Sequence, residues 1–291
     1  MSTPGPAARL YDVSYSRFSG AHEGRWRSVL AMARSSTGRA LGLRRSAGAK
    51  VWPFLLLLAA YLPAVIVVGI PLIVPASPPP LELLAYDELL GVGGVIIVAF
   101  VVTTLPSLLT RDRRDRVLTL YFSTALSRAE YLLGKLLAAL ALVLLVTLGP
   151  LLVLFVGSIV TADSPLERLR DLGGDLPAVL LAGLAVALYF SALGLAAGAL
   201  TAKRVFAIGG LLGVLLVTPV LAGLGEELTG RRWTRVLDLA TMPVRAAGHL
   251  LPDSTINDGG PSGAAVWTSY AVVVAGCLAV LALRYLRGGR S

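Results

Sequence analysis

Residues 131–160 read YLLGKLLAALALVLLVTLGPLLVLFVGSIV, thirty residues in which Lys135 is the only charged side chain. An α-helix rises about 1.5 Å per residue and the hydrocarbon core of a bilayer is about 30 Å thick, so about 20 apolar residues are enough to cross it. The stretch therefore predicts a membrane-spanning helix. Lys135 lies near one end, where its long side chain is expected to reach the interface by snorkelling.

Five more stretches have the same apolar character, and all six are nearly free of charge. The predicted spans are Val51–Pro75, Leu89–Leu109, Tyr131–Val160, Leu176–Leu200, Val205–Leu224 and Ala265–Tyr285. Only 15% of the 291 residues are charged, whereas soluble domains carry about 25%. The sequence predicts an all-α membrane protein, with an N-terminal segment at 1–50 and a six-span domain at 51–291.

Basic residues are concentrated in every second segment between the spans, and this distribution predicts the orientation of the chain in the membrane. Of the 26 Lys and Arg residues, 20 lie in residues 1–50, between spans two and three, at 203–204 and near the C-terminus. Basic residues collect on the cytoplasmic side, so both termini are predicted to be cytoplasmic. Few lysines among many Arg, Ala, Gly and Leu residues indicate a high-GC bacterium, which places the chain in a bacterial plasma membrane.

The segment before the first span contains a basic amphipathic stretch. Residues 25–49 read RWRSVLAMARSSTGRALGLRRSAGA, with apolar side chains every three or four residues in the first half and arginines between them. This pattern favours an elbow helix in the headgroup plane, broken at Ser35–Gly38. Two roles remain open, an interfacial anchor and a contact for a cytoplasmic partner.

The connection between spans two and three is longer than a simple turn. Residues 110–135 read TRDRRDRVLTLYFSTALSRAEYLLGK, in which six consecutive charged residues precede a leucine-rich segment. Charged and apolar side chains together suit a short helix that presents a mixed surface to another protein. The other interpretation is a solvated loop whose basic residues only mark the cytoplasmic side.

This connection resembles the cytoplasmic loop of the permease subunits of type-2 ABC exporters. Ala125-Leu126-Ser127-Arg128 and Gly134-Lys135 match the loop's Pro-Leu-Ser-Arg and Gly-Lys segments, and Arg111–Arg116 matches its charged run. The usual Gly-Thr is replaced by Val117-Leu118, and the usual proline by alanine. The number of spans, their orientation and the loop sizes also agree, over about residues 25–288.

The resemblance implies a function as well as a fold. It implies a permease subunit, two copies of which, as a homodimer or heterodimer, form the translocation pathway for export across the bilayer. Each copy docks on an ABC ATP-binding subunit that holds ATP and Mg²⁺, so no cofactor is expected in this chain. The ATPase-coupling residues that it implies are Arg111, Asp112, Arg113, Arg114, Asp115, Arg116, Leu120, Tyr121, Leu126, Ser127 and Arg128. The alternative is a membrane anchor, assembly or mechanotransmission subunit that transports nothing itself.

The residue inventory argues against several other kinds of chemistry. The two histidines, His22 and His249, lie on predicted opposite sides of the membrane, so no Cys/His metal site is expected. No Gly-x4-Gly-Lys-Ser/Thr sequence is present, so no P-loop binds ATP. Catalytic polar residues do not cluster, which disfavours an enzyme that acts on lipids. No basic soluble domain accompanies the +9 net charge, so nucleic-acid binding is not expected.

Several features of the spans leave two interpretations open. Tyr189 and Phe190, at mid-depth in the fourth span, either line an apolar pathway or pack inside the bundle. Gly194-x3-Gly198 and Gly209-x3-Gly213 permit close helix contact, either within one subunit or at a dimer seam. Residues 228–251 show helical spacing interrupted by one proline, which predicts two short interfacial helices on the outer face, as a lid or as a plain surface loop.

Overall fold

The structure, a computed structural model, describes residues 24–43, 47–74, 78–115 and 127–287, and every regular element in these ranges is helical. The helices are α1 (Arg25–Ala40), α2 (Ala47–Ile73), α3 (Pro80–Leu83), α4 (Tyr86–Thr104), α5 (Ser107–Arg114), α6 (Arg128–Val160), α7 (Pro165–Leu172), α8 (Leu176–Leu200), α9 (Arg204–Thr229), a 3-10 helix (Arg232–Leu237), α10 (Met242–Gly248) and α11 (Gly263–Ala282), which continues as a π-helical turn (Leu283–Arg287).

Six helical segments are long and apolar enough to cross a membrane, which confirms the six predicted spans. They are Lys50–Ile73, Tyr86–Arg114, Arg128–Val160, Leu176–Leu200, Arg204–Thr229 and Gly263–Leu286. The fourth has the predicted bounds, while the second begins earlier and ends later than predicted. Charged residues at the helix ends account for the difference, because a helical backbone continues past the point where hydropathy falls.

Spans two, three and four form the centre of the bundle. In the most apolar window of each, 56%, 50% and 61% of the residues are buried, against 17%, 22% and 28% in spans one, five and six. The third span, α6, packs against α8, α2 and α1. Spans one, five and six therefore turn most of their apolar side chains outward, toward lipid or another protein.

The second span breaks at Leu105-Pro106, between α4 and α5, because proline lacks the N–H that would continue the helix ladder. Gly194 and Gly198 of α8 pack against this break, and a β-carbon at Gly198 would lie only 2.9 Å from the carbonyl oxygen of Pro106. The first glycine motif thus serves packing inside the subunit. Side chains at Gly209 and Gly213 would enter open space, so the dimer seam stays a prediction for the second motif.

The amphipathic stretch forms one helix, α1, that runs without interruption to Ala40. The break predicted at Ser35–Gly38 was wrong, because the hydroxyls of Ser35 and Thr37 donate hydrogen bonds to carbonyls one turn earlier, at 3.0 Å each. Gly42, with a φ of 74°, follows the helix in the left-handed region that commonly ends helices.

The segment between spans five and six contains the two short helices that the sequence predicts. Pro243 lies in the first turn of α10, where proline is tolerated, instead of separating two helices. The loop that follows is fixed to the start of α4 by Asp87. One carboxylate oxygen of this buried residue accepts hydrogen bonds from Ser254 Oγ at 2.9 Å and from the Thr255 backbone N–H at 3.0 Å.

Candidate functional site

The charged run begins inside the second span and is helical as far as Arg114, where that span ends. Leu108 and Asp112 lie four residues apart and are both buried on the same face of α5. Arg114 is exposed on the opposite face, and Asp115, which follows the helix, is exposed as well. We call the end of the bundle formed by α1, α5 and the first turns of α6 the basic end.

Asp112 and Lys135 form a buried ion pair at the basic end. The Lys135 Nζ atom lies 2.6 Å from Asp112 Oδ2, and the two side chains are 1% and 3% exposed. The predicted snorkelling of Lys135 was therefore wrong. Its ammonium group turns into the protein because a carboxylate from the neighbouring helix supplies a partner there, and buried charges are tolerated only when they are paired.

Three further side chains complete what we call the Asp112 cluster: Ser36 and Arg39 of α1, and Tyr131 of α6. Tyr131 donates its hydroxyl to Asp112 Oδ2 at 3.0 Å, and Lys135 donates to Ser36 Oγ at 3.1 Å. Arg39 Nη1 lies 3.8 Å from Asp112 Oδ1. The cluster thus joins the N-terminal helix, the charged run and the third span around one carboxylate.

The sequence around the start of α6 stabilises the contact between α1 and α6. Ser127 caps the helix: its backbone N–H donates to Glu130 Oε2 at 2.7 Å, while its hydroxyl accepts from the Glu130 backbone N–H at 3.3 Å. A β-carbon at Gly134 would lie 2.8 Å from Met32 Cγ, so glycine is what lets α1 approach α6 closely. In Gly134-Lys135, the glycine therefore permits the close contact with α1, and the lysine supplies the charge that pairs with Asp112 of α5.

The Asp112 cluster stabilises the contact between three helices. Removing one partner of a buried ion pair typically destabilises a protein by about 3–5 kcal/mol, because the other charge is left unpaired in a low dielectric. The Asp112–Lys135 pair therefore holds α5 against α6, and the contacts of Ser36 and Arg39 add α1 to this pair.

Arg113 has a separate structural contact. Its Nη1 atom donates to the carbonyl oxygen of Ala199 at 2.7 Å, in the last turn of α8, where helix carbonyls lack partners within the helix. In the same region Arg204 Nη2 donates to the carbonyl of Thr103 at 3.0 Å. Arg113 thus joins the second span to the fourth, and Arg204 joins the fifth span to the second.

The remaining described members of the charged run border a cavity of about 990 Å³ between α1, α2, α5 and α9. Arg111 pairs with Asp115 at 3.5 Å, and Arg114 lies beside them. These three residues are at least partly exposed, so they are available to a partner at the basic end. The structure thus divides the predicted coupling residues into inward structural members, such as Asp112, and outward ones.

The other predicted site residues have different positions. Ser127 and Arg128 lie at the start of α6, whereas Arg116, Leu120, Tyr121 and Leu126 lie outside the described residues. Tyr189 and Phe190 are fully packed in the bundle, and the Tyr189 ring lies 5.4 Å from that of Tyr270. Neither borders the 990 Å³ cavity or a second cavity, of about 560 Å³, between α8, α9 and α11. Pathway lining stays a prediction for these two.

The sequence contained signals for the Asp112 cluster that charge counting misses. Ser36 follows Met32 by four residues, and Asp112 follows Leu108 by four, so each shares a face with an apolar neighbour. A lysine inside an apolar helix also requires a partner. Within the described ranges no group of three His, Cys, Asp or Glu side chains could hold a metal ion.

Comparison with known protein families places the chain in one of them. The model of the family described as "ABC-2 family transporter protein" matches residues 70–283, which is well over half of the chain. The match begins near the end of α2 and ends in the π-helical turn after α11, so it includes the charged run and the Asp112 and Lys135 side chains. No curated protein matches the chain.

Proposed function

Because the chain belongs to the ABC-2 family of transporter proteins, we propose that it is the permease subunit of an ATP-driven exporter in a bacterial plasma membrane. Its basic end faces the cytoplasm and docks on a separate ABC ATP-binding subunit, which holds ATP and Mg²⁺. The observation that carries the proposal is the Asp112 cluster, because it connects the outward arginines of α5 to the N-terminal helix and the third span.

The cluster gives a physical route for coupling. A partner that pushes on Arg111 or Arg114 moves α5, and the paired charges make α1 and α6 follow. The contact of Arg113 with the end of α8 passes the same displacement to the fourth span. Closure of the ATP-binding subunits would thus become a shift of helices between two discrete arrangements, as conformational coupling requires.

The translocation pathway is proposed to lie between two copies of the chain. The interior of the described subunit is filled by packed side chains such as Phe100, Leu142 and Tyr189, each fully buried. Spans one and five instead leave apolar side chains and open glycines on the outside. Two such faces brought together would enclose a pathway, in a homodimer or with a related chain.

Affinity purification of the full chain from membranes of its own host tests the proposal. An ATP-binding polypeptide and ATPase activity should co-purify, and the double variant Arg111→Glu/Arg114→Glu should lose both while the spans stay folded. The matched control is Arg170→Glu/Arg231→Glu, two exposed arginines at the opposite end. Equal recovery of the ATPase with both double variants would contradict the proposal. If the complex stayed intact and the chain stimulated its ATPase activity but no cargo moved, the chain would be a mechanotransmission subunit instead.

A further inference from the structure

The cavity at the basic end is strongly cationic. Five of its lining side chains carry positive charge and one carries negative charge; these are Arg39, Arg111, Arg114, Lys203 and Arg204, with Asp115. It lies where three spans end, at Lys50, Arg114 and Arg204, which is the level of a membrane surface. Trp52, which donates to Thr103 Oγ1 at 3.4 Å, adds the amphipathic ring that favours this level.

A second cavity, of about 560 Å³, is an apolar groove between α8, α9 and α11. It extends along α9 from Phe206 to Val214 and along α11 from Val272 to Val280. Each stretch advances eight residues, about 12 Å along a helix, and one leaflet of the hydrocarbon core is about 15 Å deep. The groove therefore has the length of one acyl chain in one leaflet.

The two cavities are neighbours at the start of α9. Phe206 borders both, and the Lys203 ammonium group lies 5.7 Å from the centre of its ring. A ligand that occupies both must carry a negative charge at the membrane surface and a hydrocarbon chain directly below it. A second copy of the basic end would bring its own cations toward these five, and such like-charge juxtaposition is unfavourable.

We infer that this chain binds an anionic phospholipid, with the phosphate headgroup in the cationic cavity and one acyl chain in the apolar groove. The inference does not depend on an ATP-binding partner, because both cavities are formed by this chain alone. A free phosphate ion would satisfy the cations and leave the groove empty. A neutral lipid would fill the groove without using the charges.

Photo-cross-linking tests the inference. The full chain is reconstituted in phosphatidylcholine nanodiscs with a trace of phosphatidylglycerol that carries a diazirine near the end of one chain. Adducts are expected on residues 206–214 and 272–280. Phosphatidylcholine with the same photoreactive chain should give far fewer. Inorganic phosphate in excess should compete only weakly, because it lacks the chain.

Two variants separate the contributions of headgroup and chain. Lys203→Gln removes one cation and should weaken binding of the labelled phosphatidylglycerol about fivefold. Gly276 borders the groove, and a β-carbon there would meet no atom within 4 Å, so Gly276→Leu should extend into the groove and abolish the adducts. The matched controls are Arg170→Gln and Gly223→Leu, which lie outside both cavities and should change neither result.

Other outcomes would overturn the inference. Equal labelling by the two lipids together with no effect of Lys203→Gln would mean that the charges do not select the lipid. Full competition by phosphate with no effect of Gly276→Leu would assign the cavity to a free anion. Cross-linking between copies through Cys277, which borders the groove, would assign the groove to a second subunit.

Discussion

Asp112 is the central residue of the cluster at the basic end. Its carboxylate is the one acidic group in the described cluster, and it contacts Lys135, Tyr131 and Arg39. Replacing it by an apolar residue leaves a buried ammonium group with only the Ser36 hydroxyl as a described hydrogen-bond partner. The stability of the basic end therefore depends on this carboxylate more than on any exposed charge of the run.

We predict that Asp112→Leu lowers the free energy of unfolding by about 3–5 kcal/mol, because Lys135 stays buried without its counter-ion. Reversible unfolding of the purified chain in mixed micelles measures the change. The double variant Asp112→Leu/Lys135→Leu should recover most of the loss, since replacing both members of a buried pair by apolar residues is often neutral or stabilising.

Asp115→Leu is the control for this measurement. Asp115 is exposed, and within the described residues its ion pair is with the neighbouring Arg111, so its loss should change the free energy of unfolding by no more than about 0.5 kcal/mol. Equal destabilisation by Asp112→Leu and Asp115→Leu, or no recovery in the double variant, would show that the buried pair does not hold the basic end together.

For single residues, the sequence located the charged run but did not predict which of its side chains point into the protein and which point outward. Charge density identified Arg111–Arg116 as a unit, yet Asp112 turns inward while Arg114 turns outward. The difference comes from helix phase, which became defined only because α5 continues the second span. Lys135 shows the same limit, since hydropathy alone cannot reveal that a carboxylate from another helix lies beside it.

Among the elements, the fourth span packs closely against the break in the second. Gly198→Ala would place a β-carbon 2.9 Å from a backbone oxygen of Pro106, which has little freedom to move. We predict a loss of about 1–3 kcal/mol in the free energy of unfolding, as is typical of overpacking. The same micelle unfolding experiment measures it.

Gly209→Ala provides the matched comparison on the fifth span. A side chain there enters open space, and alanine favours a helix over glycine by about 1 kcal/mol, so the isolated chain should be unaffected or slightly stabilised. If Gly198→Ala proved as harmless as Gly209→Ala, the close contact between α8 and the Leu105-Pro106 break would be wrong.

Hydropathy predicted the elements well and their ends poorly. The number and order of the spans follow from apolar length alone, because backbone groups must be satisfied internally in a bilayer. The break at Pro106 and the continuation to Arg114 did not follow, because Leu108 and Leu109 look like the end of one span. The uninterrupted α1 also differs from expectation, since Ser35 and Thr37 bond within the helix.

For the whole molecule, the charges are divided between two differently built ends. At the basic end, cations surround a buried carboxylate and line a cavity of about 990 Å³. At the opposite end, Asp87 anchors the loop after α10. The proposed function places a cytoplasmic ATP-binding partner at the first end only. If the basic end binds the ATP-binding subunit, it must also face the cytoplasm. One experiment therefore tests both the partner and the orientation.

The most direct measurement is site-specific photo-cross-linking in membranes of the host. A photoreactive amino acid replaces Arg114 at the basic end or, as the control, Arg170 at the opposite end, and cross-linked polypeptides are identified by mass spectrometry. The account predicts that position 114 captures a polypeptide with a P-loop and that position 170 does not. Capture of that polypeptide from position 170, or its absence from position 114, would contradict the account.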